Sequence, residues 1–176
     1  MERVFLLDRS GSMVSCLDDT IDGFNTFVDS QKQFGGTMTL CLFDHEFEIV
    51  YDKTPIDEVP SLTDETFVPR GGTALFDAMG QILKMKLSDD AMVIVLTDGE
   101  ENSSDLYTAA HVKDLVDLKP WKFVYLGANQ DAVLAAQNIG IHTSLGYDSA
   151  RTPDVFRTLS AAVTNYSQDP SLGLNF

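Results

Sequence analysis

The chain has 176 residues, with 27 acidic against 12 basic side chains and a formal charge of −15. That balance excludes a nucleic-acid or anionic-membrane surface, since both need a basic footprint. The length suits one domain with a large core, and no composition shift marks a second one. Cys16 and Cys41, the only cysteines, lack the spacing of a disulfide framework or a zinc site and read as reduced, buried thiols. With no charged leader and no apolar run of membrane-spanning length, the expectation is a cytoplasmic protein.

The first predicted element is an apolar strand, Val4 to Leu7, that ends abruptly in Asp8-Arg9-Ser10-Gly11-Ser12. Val14, Leu17, Ile21, Phe24 and Val28 then recur at helical spacing, predicting a helix that the glycines after Phe34 stop. Thr37–Phe43 and Phe47–Tyr51 are β-rich and separated only by Asp44-His45-Glu46. So short a connection forbids a crossover, and the two segments pair antiparallel. Residues 52–70, with Pro55, Pro60 and Pro69, read as a long loop that delivers Gly71-Gly72-Thr73. A helix with Leu75, Phe76, Met79, Ile82 and Leu83 inside follows, leaving the Thr73 hydroxyl at its N-terminus to cap it or bind a ligand.

Met92 to Leu96 is a continuous apolar run, as expected of a parallel strand covered on both faces, and it ends in Thr97-Asp98-Gly99. Ser103 or Ser104 is positioned to cap a helix with Leu106, Ala109, Ala110, Leu115 and Leu118 inside. Lys122–Leu126 is the next strand. A short helix with Ala132, Ala135, Ala136 and Ile139 follows it, and a last short strand falls within residues 142–147. Thr152-Pro153 opens a final helix that buries Val155, Phe156, Leu159, Ala162 and Val163. The expected domain spans residues 1–166, with a loosely held tail from 167 to 176.

Alternating strands and helices imply an α/β architecture: a doubly wound, mostly parallel sheet of about six strands with an antiparallel edge and helices on both faces. Ligands in such sheets bind beyond the carboxyl ends of the strands, where the strand order reverses. Asp8 and Asp98 both end apolar strands. If those strands are neighbours, Asp8, Ser10, Ser12, Thr73 and Asp98 surround one point with oxygen atoms only, a donor set for a hard cation such as Mg2+, with Mn2+ or Ca2+ also admissible. Two carboxylates leave such an ion under-neutralised, with a coordination position open.

Asp8-x-Ser10-x-Ser12, the separate Thr73 and Asp98-Gly99 together make the chain resemble the von Willebrand factor type A domain, including the integrin inserted domains, and its metal-ion-dependent adhesion site. The likeness runs from about Arg3 to Val163 and is greatest to small stand-alone members, as the element spacing leaves no room for a large insertion. The resemblance implies a Rossmann-like sheet and a magnesium ion bound by the two serines, with Thr73 and the aspartates bound directly or through water. It further implies a non-enzymatic role, in which the open position takes an Asp or Glu from a partner protein and the free domain is a monomer.

The surroundings of the site carry further expectations. Asp77 reads equally as a helix N-terminal charge or as a group orienting the ligands. Glu100, Glu101 and Asn102 read as a solvated acidic loop, and Arg9 and Arg70 as packed surface residues or as hydrogen-bond donors to an incoming carboxylate. The alternative function is a Mg2+-dependent phosphohydrolase with Asp8 as nucleophile. The spacing disfavours it, because the position two residues on, where a second aspartate would act as general acid, is Ser10.

Overall fold

The computed structural model describes residues 1–176. Six strands, β1 (Glu2–Asp8), β2 (Thr37–Phe43), β3 (Phe47–Pro55), β4 (Met92–Thr97), β5 (Lys122–Ala128) and β6 (Ser144–Tyr147), form one sheet in the order β3-β2-β1-β4-β5-β6. Every pairing is parallel except the β2–β3 hairpin at one edge. The chain winds outward from β1 in both directions, so the switch point lies between β1 and β4, where Leu7 pairs with Leu96.

The period-two alternation of strand side chains divides the core in two. Phe5 and Leu7 of β1 face helices α1 (Leu17–Gln31) and α5 (Thr152–Gln168), with Phe24, Phe27 and Phe156 packed around Phe5. Val4 and Leu6 face α2 (Leu75–Lys84), α3 (Ala109–Asp117) and α4 (Ala132–Asn138), where Met79, Ile82, Val112 and Ala136 complete the second cluster. Gly23 is the closest point of the α1–α5 contact: a Cβ there would stand 2.2 Å from the Phe156 ring.

Several local expectations are corrected. The segment after Asp8 does not enter the α-helix directly. Gly11–Cys16 is a 3-10 helix, and Val14, expected on the buried face, is 67% exposed. The edge strand β3 runs on to Pro55, through residues read as loop. Helix α3 starts after Thr108, whose side chain caps it, and not after Ser103 or Ser104, so Leu106 lies in a loop, 71% exposed; Leu118, just past the helix end, is 78% exposed. Beyond α5, Pro170–Leu172 forms a 3-10 turn and Leu174 packs against the α1–α5 core. Both cysteines are free and buried. No helix is long and apolar enough to cross a membrane.

Candidate metal centre

The five predicted residues arrive from three segments at the carboxyl ends of β1 and β4. Asp8 is the last residue of β1 and fully buried. Its Oδ1 accepts the Ser10 N–H at 2.6 Å, which bends the chain sharply out of the strand, and its Oδ2 accepts the Thr97 hydroxyl at 2.6 Å. The hydroxyls of Ser10 and Ser12 are 3.2 Å apart, and Ser12 Oγ donates to Asp98 Oδ1 at 2.6 Å. Asp98 itself is 8% exposed.

Thr73 closes the ring. Its backbone N–H donates to Asn102 Oδ1 at 2.8 Å, while its hydroxyl, in a residue 2% exposed, has no hydrogen-bond partner. A Cβ placed on Gly99 would stand 3.3 Å from Thr73 Oγ1 and 3.8 Å from Ser12 Oγ, so the Asp98-Gly99 turn lies directly against both hydroxyls. A side chain there would press on the Thr73 hydroxyl. Thr73 does not cap α2; the helix follows Ala74, and its Phe76 N–H donates to Glu101 Oε2 at 3.0 Å.

The electrostatics of the ring favour a cation. Burial pushes the Asp8 carboxyl up to about 6 despite the hydrogen bonds from Thr97 and Ser10, and the neighbouring charge of Asp98 adds to the rise. Asp98 is also raised by burial, against the opposing hydrogen bond from Ser12. Two buried carboxylates facing neutral hydroxyls are costly unless a positive charge joins them. With the unpartnered Thr73 hydroxyl, the donor set is all oxygen and suits a hard divalent ion.

The second ring of residues differs from expectation in instructive ways. Glu101 is not a solvated charge: besides the α2 N-terminus, it accepts N–H groups of Ser103 and Ser104 at 2.9 and 2.7 Å. Asn102 holds Thr73, and Asp77 accepts the N–H groups of Asp105, Leu106 and Tyr107, so it anchors the loop leaving β4. Glu100 remains exposed. Arg9 and Arg70 are held by a carboxylate of the chain itself: both donate through Nε to Asp44 Oδ2, at 2.9 and 2.7 Å. Thr97 and Asp44 escaped the sequence reading, although a threonine one residue before Asp98 was a visible candidate.

No sequence-family model and no curated protein sequence matches the chain. Among solved structures, it is similar to a von Willebrand factor type A protein from Catenulispora acidiphila, at 18% identity and a TM-score of 0.69 over 93% of this chain and 42% of that one. It is also similar to the vWF domain of the pilus tip protein Mfa5 from Porphyromonas gingivalis, at 13% identity and a TM-score of 0.63 over 99% and 96% of the two chains. A third structure, proximal thread matrix protein 1 from the mussel byssus with a zinc-occupied MIDAS motif, aligns at 16% identity and a TM-score of 0.64 over 90% and 45%. The chain spans less than half the length of the first and third of these. A doubly wound, mostly parallel α/β sheet with one antiparallel edge hairpin defines the class. Within it, the chain has the von Willebrand factor type A fold.

Proposed function

We propose that the chain is a divalent-metal-dependent protein-binding module, in which Asp8, Ser10, Ser12, Thr73 and Asp98 hold Mg2+ and a partner protein supplies an Asp or Glu to the remaining position. The observation that carries this reading is the convergence of three segments on one oxygen-lined point, with Gly99 against the free Thr73 hydroxyl. The zinc-occupied motif named for the byssus protein supports a metal at the equivalent place in this fold. A bound ion supplies a strong electrostatic attraction for one carboxylate, and the buried walls around it strengthen that attraction by limiting water. The chain's own part is to hold the oxygens in place before the partner arrives: Thr97 and Ser10 fix Asp8, and Asn102 fixes Thr73.

The surroundings suit a protein partner. Val14, Val68, Leu106 and Leu134 are exposed on segments that border the carboxyl ends of the strands, and apolar side chains around a polar centre are typical of interaction surfaces. A cavity of about 260 Å³ between Phe76, Tyr125 and Leu134 opens beside Glu100. Exposed Glu100 and Asp131 favour a partner whose single acid lies within a basic surface, so added salt weakens the complex. The chain acts as one domain, with α5 running past the expected boundary at residue 166, and is monomeric when free. The two buried free thiols support a cytoplasmic setting.

The test is thermal unfolding with Mg2+ against chelator, followed by capture of partner on wild-type and Asp98→Ala protein. Mg2+ raises the Tm of wild type only, and capture needs both metal and Asp98. Absence of a Mg2+-dependent shift overturns the reading. Mg2+-dependent turnover of simple phosphoesters that vanishes in Asp8→Asn would replace it with the phosphohydrolase.

A further inference from the structure

Between β2 and β3 the chain makes a turn, Asp44-His45-Glu46, that carries no ligand of the metal ring and yet touches both loops that do. Asp44 is fully buried. Its Oδ2 accepts Arg9 Nε at 2.9 Å and Arg70 Nε at 2.7 Å, and its Oδ1 accepts the Glu46 N–H at 2.7 Å. Arg9 lies between Asp8 and Ser10, and Arg70 lies three residues before Thr73. One carboxylate therefore clamps the two ligand-bearing segments together.

The backbone follows the same pattern. Arg9 N–H donates to Phe43 O, Arg70 N–H to Arg9 O, Gly11 N–H to Gly71 O and Ala74 N–H to Asp44 O, all within 3.1 Å. Gly71 has a φ of +66°, and a Cβ there would stand 2.1 Å from His45 Nδ1, so the turn and the Thr73 loop are in close contact.

The charges are arranged with equal economy. Arg9 also donates to Glu48 at 2.6 Å, and Arg70 to Glu46 at 2.5 Å, so each guanidinium faces two carboxylates. An uncompensated guanidinium next to Asp8 would repel a divalent ion at short range. The ligand atoms of Asp44, His45 and Glu46 lie within 4.8 Å of one another, and Arg70 already bridges Asp44 and Glu46.

We propose that the β2–β3 turn is an anionic clasp and that Asp44 is a positioning residue for the metal site, holding the Asp8–Ser12 and Thr73 loops in register while Asp44, Glu46 and Glu48 neutralise Arg9 and Arg70. This rests on the metal reading above. It also assigns the arginines to holding the chain's own loops, not to the partner's carboxylate.

The test is calorimetric titration of Mg2+ alone into chelator-treated full-length protein, with urea unfolding of each metal-free variant. Asp44→Asn weakens Mg2+ binding about tenfold or more, the scale expected for loss of an outer support. The exposed double variant Glu46→Gln/Glu48→Gln keeps metal-free stability and weakens binding about threefold at low salt, an effect that shrinks in about 0.5 M salt. Glu58→Gln removes one charge at the opposite end of the sheet, beyond Pro55, and binds as wild type does. If Asp44→Asn and the double variant both bind Mg2+ like Glu58→Gln, Asp44 is purely structural and the proposal is overturned, whatever happens to stability. Should Asp44→Asn not fold, the double variant decides alone. A wild type that binds no Mg2+ overturns the metal reading and the clasp with it, a result distinct from variants that match a binding wild type.

Discussion

The Ser12 hydroxyl donates to Asp98 Oδ1 at 2.6 Å across 86 positions of sequence. This bond joins the 3-10 turn after β1 to the end of β4 at the switch point, and it brings the two halves of the candidate site together.

Replacing Asp8 by Asn separates binding from stability. Its carboxyl rises from 3.8 to about 6 on folding, chiefly because it is buried. A raised folded value means that the favourable contribution is complete below the unfolded value and is lost as pH rises through about 6, so at neutral pH the ionised group opposes folding. The shift corresponds to about 3 kcal/mol, and altered hydrogen bonds in Asn offset part of it. Metal-free Asp8→Asn is therefore more stable than wild type at pH 7.5 by about 1–2 kcal/mol in urea unfolding, with the gap closing at pH 4, and it shows no Mg2+-dependent rise in Tm.

Thr97 supports Asp8 from the next strand, donating to Oδ2 at 2.6 Å and accepting the Gly99 N–H at 3.2 Å. Thr97→Val keeps the shape but leaves a buried carboxylate oxygen unpaired, costing about 1–3 kcal/mol. Chemical denaturation and Mg2+ titration of this variant both move, because Asp8 and the Gly99 turn lose a common anchor.

Acid should weaken the Asp44 clasp in a defined window. Burial alone would push this carboxyl up, but Arg70, the Glu46 N–H and Arg9 outweigh it and hold it below the ordinary 3.8. A lowered folded value contributes stability above the unfolded value and loses it as pH falls through the folded one. The stability difference between wild type and Asp44→Asn is thus flat near neutrality and begins to collapse below pH 3.8; a difference independent of pH down to full protonation would contradict the assignment.

Gly23→Ala tests the core far from the site. Alanine favours a helix interior by up to about 1 kcal/mol over glycine, yet its Cβ would meet the Phe156 ring at 2.2 Å. Overpacking costs about 1–3 kcal/mol and wins, so Tm falls. Mg2+ affinity stays unchanged, since α1 and α5 contribute no ring oxygen.

The mostly parallel sheet with its antiparallel edge and most of the helices were legible in the sequence, and Asp8, Ser10, Ser12, Thr73 and Asp98 stood out as candidates, because those signals are local. An apolar run that stops at a carboxylate, a serine pair spaced by one residue and a glycine after Asp98 each report on a few neighbouring positions. That β1 and β4 are neighbours was only a condition in the sequence; the parallel pairing of Leu7 with Leu96 meets it. The contacts of Asp44, Asp77, Glu101 and Asn102 come from the fold. Each is an acidic or amide side chain used by backbone N–H groups or guanidiniums brought from 25 or more positions away. The exposure of Val14 likewise depended on a 3-10 turn, which the sharp exit from Asp8 imposes on a pattern that spacing reads as α-helix. Periodicity reports which face of an element is apolar; it carries no information on which distant backbone groups need an acceptor, and at this site those needs determine where the ring oxygens stand.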